Sequence, residues 1–456
     1  MSIFSLNLNT FKQDFTILGK NKEIYGEVHT PFSLIKDMFD FIPNKYFQNK
    51  NLKWLDPCTG KGYFSIFLYK KLFIGLQNII KDEQLRHTHI ITNMIYIIEI
   101  NSEFIPLLKN IFGEKSNIYN INFLDFQSNI KFDFIIGNPP FNTDGLVKVP
   151  TKSGSKKKDG KTIWQSFIKK SMSLLKKQAY LLFITPSIWM KNDHPIFKYL
   201  LTYKLIKIKT LTNTETNKIF NKQAQTPTCY FLVKNISSKQ NTVLLYDQIH
   251  KDFIKYQIYS KLSLPLFIPS IIKKLVNYTL KYKSLKIIKT SMRPGYKGYH
   301  FSPQYNFKTP HPNIKTCKLN KLQPYLVINY SNIPCHYYKK PKLVLAHKMY
   351  GFPYLDYSGN YGISNRDNYV ILNKSYQEFT RLKQFLSTRL IRTVFEATRY
   401  RMSYLEKYIF DIIPDITYIN NFPFDITENN VQQFFNLNDK ERLFINHFHK
   451  KKYLNF

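Results

Sequence analysis

The spacing of apolar residues changes several times along this chain, and each change marks an element. Leu34, Ile35, Met38, Phe39 and Ile42 recur at helical spacing, and Thr30 followed by Pro31 reads as a helix start. From Asn51, the stretch NLKWLDPCTGKGYFSIFLYKKL predicts a short strand, a glycine turn and a helix. ITNMIYIIEIN is a continuous apolar run ending on Glu99, as a strand buried on both faces requires. IYNINFLDF predicts another short strand with Asp125 at its end, and KFDFIIGNPPF a fourth that runs into a proline-rich turn. A helix, TIWQSFIKKSMSLLKK, and two strands, QAYLLFITP and PTCYFLVKN, carry the pattern to Asn235. Strands alternating with helices predict an α/β fold with a doubly wound, Rossmann-like parallel sheet.

The polar stretch NISSKQN (235–241) reads as a linker, and the text beyond it is richer in Tyr, Lys and Pro. KLVLAHKMY and NYVIL are strand-like, and SYQEFTRLKQFLSTRLIRTVFEAT predicts one long helix. The expected division is a domain over 1–235 and a second, α+β domain over 242–456. TKSGSKKKDGK (151–161) reads as a basic loop, either a solvated insertion or an arm for phosphates. The tail HFHKKKYLNF is basic and expected to fray.

Charge narrows the partners. Among 456 residues, 67 are Lys or Arg and 30 are Asp or Glu, a net charge of +37. Such a surface suits a polyanion, and nucleic acid fits better than an anionic membrane. With 43% hydrophobic and 16% aromatic residues, the chain is not disordered throughout. Four cysteines exclude a disulfide scaffold and fit a reducing compartment. No apolar run reaches the ~18 residues of a membrane span, and the first residues do not read as a secretion signal, so an intracellular, soluble protein is expected.

Three features carry chemistry. Asp56-Pro57-Cys58-Thr59-Gly60-Lys61-Gly62-Tyr63-Phe64 lies between a strand and a helix, where glycines let backbone approach a nucleotide-like ligand. Its spacing matches neither G-x-G-x-x-G nor the phosphate-binding loop, which disfavours a dinucleotide or ATP. Asn138-Pro139-Pro140-Phe141 follows a strand; its prolines stiffen the turn, the Asn amide and carbonyl oxygens supply acceptors, and Phe141 supplies a flat apolar face. That set suits a planar ligand with an exocyclic amino group. Glu99 and Asp125, both expected at strand ends, would line the ligand crevice of a parallel sheet.

These motifs, Asp-Pro-x-x-Gly-x-Gly-x-Phe followed by Asn-Pro-Pro-Phe, resemble those of the S-adenosylmethionine-dependent DNA adenine-N6 methyltransferases. Tyr25-Gly-Glu-Val-His-Thr-Pro31 resembles the extra N-terminal motif of the subgroup whose specificity domain is C-terminal. The likeness spans about 20–235. More loosely, KPKLVLAHKMYGFPYLDYSGNYGISNRDNYVI is similar to recognition domains of restriction–modification methylases. The resemblance implies S-adenosylmethionine as cofactor, with Gly60 and Gly62 of the Asp56-Pro57 turn beside its methionine part. Thr30 would hold its carboxylate, Glu99 its ribose hydroxyls and Asp125 its adenine amino group. Asn138 and the Pro139 carbonyl would accept the two hydrogens of the target amine, and Phe141 would stack on the flipped base, with Phe220 a second stacking candidate or simply a core ring. TPSIWM (185–190) resembles a later family strand. Lys177-Gln178-Ala179 stands where the family usually has a glycine, and Phe141 where it more often has Tyr.

The expected activity is site-specific methylation of adenine in duplex DNA by a monomer, with a separate cognate restriction endonuclease as a possible partner. Methylation of an RNA base, a protein glutamine or cytosine N4 uses related sites, and a silent DNA-binding module is the non-enzymatic alternative. His311, Cys317, Cys335 and His336 lack zinc-ligand spacing, so no metal is expected, nor is a fused nuclease.

Overall fold

The computed structural model describes residues 3–5, 28–142, 162–221, 224, 226–238, 242–292, 298–320, 323–347, 353–400 and 405–450. The loop 151–161, Tyr25 to Glu27, linker residues 239–241, residues 348–352 of the recognition-like stretch and the last six residues of the tail lie outside them. The chain divides into two compact units, Met1–Trp189 with Asp193–Leu245, and Met190–Asn192 with Tyr246–Phe456.

In the first unit the strands are β1 (Trp54–Asp56), β2 (Ile95–Glu99), β3 (Asn117–Asn120), β4 (Phe132–Gly137), β5 (Leu175–Pro186), β6 (Tyr203–Leu211), β7 (Thr228–Ser237) and β8 (Thr242–Asp247). Their order across the sheet is β3-β2-β1-β4-β5-β7-β6-β8. β7 runs antiparallel to β5 and β6, and the other pairings are parallel. The chain winds from β1 out to β3, returns beside β1 as β4, and winds the other way. Right-handed crossovers then put connecting helices on both faces, with the switch point between β1 and β4.

The core explains these strands. All five residues of β2 are buried. Trp54, Phe134 and Tyr180 are cross-strand neighbours on β1, β4 and β5. Their rings stack at 4.0 and 5.1 Å, so the aromatic ladder fixes the register in which the site-bearing strands meet. Helix α1 (Phe32–Phe39) buries Leu34, Ile35, Met38 and Phe39, the residues its periodicity singles out. Helix α2 (Tyr63–Gly75) follows β1 and buries Phe64, Ile66, Leu68 and Leu72.

Boundaries differ from the sequence pattern in four places. The apolar run before Glu99 is helical over Ile90–Met94, with a π-type turn, and extended only from Ile95. β3 stops at Asn120, five residues before Asp125. The helix from Trp164 ends at Leu174, and TPSIWM supplies the end of β5 and a 3₁₀ turn, Ser187–Met190. Gln178 has φ of 68°, where a side chain is strained and glycine is not.

The second unit is α+β. One sheet has Lys342–Ala346 between Asn368–Ile371 and Tyr354–Asp356, with Ile288–Lys289 outside; the other orders Phe301–Ser302, Gln323–Ser331, His311–Asn320 and Gly362–Ile363. Ile314, Cys317, Val344, Ala346, Ile363 and Val370 form a core shared by both. The predicted long helix is two, Tyr376–Ser387 and Arg389–Ala397. Thr388 breaks it by turning extended (ψ 152°) and capping the second helix, its Oγ1 accepting from Ile391 N at 3.4 Å.

Candidate active site

Two turns meet at the switch point. After β1, the Asp56 carboxylate is 1% exposed and consumed by its own turn. Oδ2 accepts from Thr59 Oγ1 and Ser65 Oγ, both at 2.8 Å, and Oδ1 from Cys58 N at 3.4 Å. Burial nevertheless pushes Asp56 up to about 6. Asp56 therefore shapes the loop and ties it to α2. Gly60 (φ 54°) and Gly62 (φ 87°) take left-handed conformations. A Cβ on Gly62 would lie 3.0 Å from Leu108 Cδ2, whereas one on Gly60 would meet nothing within 4 Å. Gly62 is thus required by packing, and Gly60 by its turn beside open space.

The Gly60 N–H donates to Glu99 Oε2 at 2.7 Å, and Asn101 N donates to Oε1 at 2.7 Å. Glu99 is buried without an ion-pair partner among the described residues, and desolvation pushes it up to about 7 despite those two donors. Each oxygen accepts one bond and keeps a lone pair for a hydroxyl. Burial, reinforced by the carboxylates of Asp56 and Glu99, raises the Cys58 thiol well above its ordinary value, so it stays protonated.

The second turn follows β4. Backbone at Gly137 abuts the first loop: a Cβ there would sit 3.4 Å from Asp56 Oδ1 and 3.5 Å from Pro57 Cδ. Asn138 Nδ2 donates to Thr30 Oγ1 at 3.1 Å. That bond aims the amide, and its Oδ1 is buried with no hydrogen-bond partner among the described residues. A buried lone acceptor costs free energy unless something completes it. Pro139 is buried, Pro140 and Phe141 are half-buried, and the Phe141 carbonyl accepts from Ile163 N at 3.1 Å.

The sheet keeps a doubly wound, otherwise parallel frame with one reversed strand, β7, between β5 and β6. Residues 36–220 match the model of the Eco57I restriction-modification methylase family. An uncharacterised adenine-specific methylase of Mycoplasma pneumoniae is 26% identical over 297 residues, 47% of this chain and 68% of that protein. Among solved structures, a modification subunit of a putative type I restriction enzyme from Vibrio vulnificus is 17% identical (TM-score 0.37), covering 50% of this chain and 49% of that one. The type IIL restriction-modification enzyme MmeI in complex with DNA is 12% identical (TM-score 0.47), covering 86% and 68%. The chain thus spans about half the length of the first of these solved structures.

The fold places the expected site residues unevenly. Thr30, Asp56, Pro57, Gly60, Gly62, Glu99 and the Asn138–Phe141 turn converge at the ends of β1, β2 and β4. The open space beside Gly60 and the spare lone pairs of Glu99 fit S-adenosylmethionine. Asp125 departs from expectation: it is exposed in a turn after β3, its Oδ2 accepting from Asn122 Nδ2 at 2.9 Å. Asn122 opens that turn by accepting from Leu124 N, and Phe123 and Phe126 anchor it in the core. Phe220 fills the core at 2% exposure, closing the helix Asn213–Ile219, so its ring offers no free face for a base. Sequence reasoning missed Asn101, which holds Glu99, and Ser65, which holds Asp56; neither carries a signal of its own outside the loop that positions it. Among the described residues no cluster of His, Cys, Asp and Glu could hold a metal ion, and no helix is long and apolar enough to cross a membrane.

Proposed function

We propose that this chain is a site-specific DNA adenine-N6 methyltransferase that uses S-adenosylmethionine and acts on a base turned out of duplex DNA. The observation that carries this reading is Asn138: its Nδ2 is held by Thr30, and its Oδ1 is a buried acceptor without a partner among the described residues. An exocyclic amine is a poor nucleophile because its lone pair is delocalised into the ring. An acceptor on its N–H favours a pyramidal nitrogen and raises the electron density there. S-adenosylmethionine supplies an electrophilic methyl group on sulfur. Asn138 would hold the amine in line with that methyl group, and the nitrogen would shed one proton to solvent once methylated. Positioning by Asn138 and the rigid Pro139-Pro140 turn supplies most of the rate. Phe141 offsets part of the unstacking cost of extrusion by stacking on the base.

Residues 1–235 carry this chemistry on the reading offered here, and residues 242–456 recognise DNA. The protein acts as a monomer, and any restriction endonuclease is a separate chain. The test is methyl transfer from labelled S-adenosylmethionine to mixed-sequence duplex DNA, followed by nucleoside analysis. N6-methyladenine is the expected product, and transfer to RNA or to a glutamine side chain in its place would overturn the substrate. Asn138→Ala should lower kcat by about 10²–10³-fold and leave cofactor affinity within about threefold.

A further inference from the structure

Beyond the catalytic turn, the second unit carries an aromatic tip with no assigned role. Phe307 is 94% exposed and Tyr305 58% exposed. Phe307 leans on Tyr305 at 6.3 Å, and Tyr305 meets Tyr330 edge-on at 5.9 Å. Tyr330 belongs to the strand Gln323–Ser331, so the tip is buttressed from the sheet. Asn306 stiffens the backbone between the two rings: its Oδ1 accepts from Lys308 N and Thr309 N at 3.0 and 2.9 Å. Every residue from Pro303 to Lys308 is exposed.

A lone exposed phenylalanine is ordinary. What distinguishes this one is its electrostatic setting. From Phe253 to Leu355 the sequence contains no Asp or Glu and 18 Lys or Arg. Lys286, Lys289, Lys308, Lys315, Lys339 and Lys340 are exposed. Among the described residues, only Lys274 and Lys342 of this stretch form ion pairs. Phe424 is nearly as exposed, at 90%, yet it lies against the Arg381 guanidinium and next to Asp425 in sequence. Rigid aromatic faces on a unit whose exposed lysines lack acidic partners match a ligand with both phosphates and flat bases.

We propose that Phe307, propped by Tyr305, is a wedge that stacks on bases of the duplex while exposed lysines of the same unit hold the phosphates. The proposal rests on the reading that duplex DNA is the substrate. Wedges of this kind partly unstack a base step, a distortion that would ease extrusion of the target base.

The test uses the full chain and mixed-sequence duplex DNA. The three native tryptophans are at most 1% exposed, so Phe307→Trp introduces a single exposed fluorophore. Acrylamide should quench it strongly in the free protein and several-fold less in the complex. Phe307→Ala should bind the duplex about 10-fold more weakly with an unchanged slope against salt, because no charge is lost. Phe424→Ala should bind as the parent does. If DNA binds but the Phe307→Trp fluorophore stays fully accessible, or if Phe307→Ala binds at parental affinity, the wedge is refuted while the DNA reading stands. If the parent chain binds no duplex, both fall. Protection that grows with protein concentration alone would assign the tip to a second copy of the chain and overturn the proposal.

Discussion

Each unit buries a carboxylate at a strand end, and the two are treated differently. Glu99 in the first unit has two backbone N–H donors and no cation among the described residues. Asp356 in the second meets Lys342 Nζ at 2.5 Å and accepts from the N–H groups of Asn360 and Tyr361. Lys342 completes its own bonding with the carbonyls of Tyr337 and Lys340, and burial still lowers its affinity for a proton. The Asp356 cluster is closed by its own cation, and only Oδ1, with one bond accepted, keeps a lone pair. The Glu99 cluster is left partly open at a cost in stability. Closure serves folding, and an unfinished cluster serves binding.

Breaking the closed cluster should give the largest effect. Asp356→Ala leaves an ammonium buried without its counter-charge and should cost about 3–5 kcal/mol in denaturant unfolding. Adding Lys342→Met should recover most of it. A loss under 1 kcal/mol, with no recovery in the double variant, would dissolve the contrast with Glu99.

Glu99→Gln should move stability and function in opposite directions. The folded-state value of about 7 lies above the ordinary 4.5, so Glu99 favours the fold only while protonated. That contribution is complete below about pH 4.5 and is lost as the pH rises through 7. The difference in unfolding free energy, Glu99→Gln minus parent, should therefore grow from pH 5 to pH 8, reaching on the order of 1–2 kcal/mol, with Tm moving in the same direction. Cofactor affinity, measured by calorimetry at pH 8, should fall about 10- to 100-fold. A pH-independent Tm difference would show that Glu99 is not held against its desolvation.

The smallest effect concerns backbone. Gly359 in the second unit takes φ of 70°, where a Cβ would lie 2.6 Å from the Lys339 backbone. Gln178 in the first unit holds φ of 68° with a side chain present. Gln178→Gly should stabilise the protein by about 0.5–1 kcal/mol without changing methyl transfer. A destabilisation would mean that the weak 3.4 Å contact from Lys234 Nζ to the Gln178 side chain outweighs the strain.

Much of the site was legible because its chemistry is local. The glycine turn, Glu99 at a strand end and the Asn138–Phe141 turn each declare themselves within a few residues, and all three lie at the switch point. Asp125 misled because NINFLDF alternates like a strand, whereas Phe123 and Phe126 are spaced as anchors of a turn. Phe220 could not be read at all, since a stacking ring and a core ring have the same neighbours in sequence. The division between units was equally hidden. The polar stretch 235–241 marks a boundary, but Thr242–Leu245 beyond it pairs with β6 and stays with the first unit.

The sequence by itself determined the alternation of strands and helices, the glycine turn and the residue types that bear the chemistry, because turns and periodicity are properties of short segments. Only the tertiary structure decided that Asn138 is aimed by Thr30, 108 residues away, and that Glu99 closes on Gly60 across 39. Those partners meet through sheet register and core packing. The same packing sets which carboxylate is matched by a buried cation and which is left without one, since desolvation and hydrogen-bond supply depend on everything folded around the group.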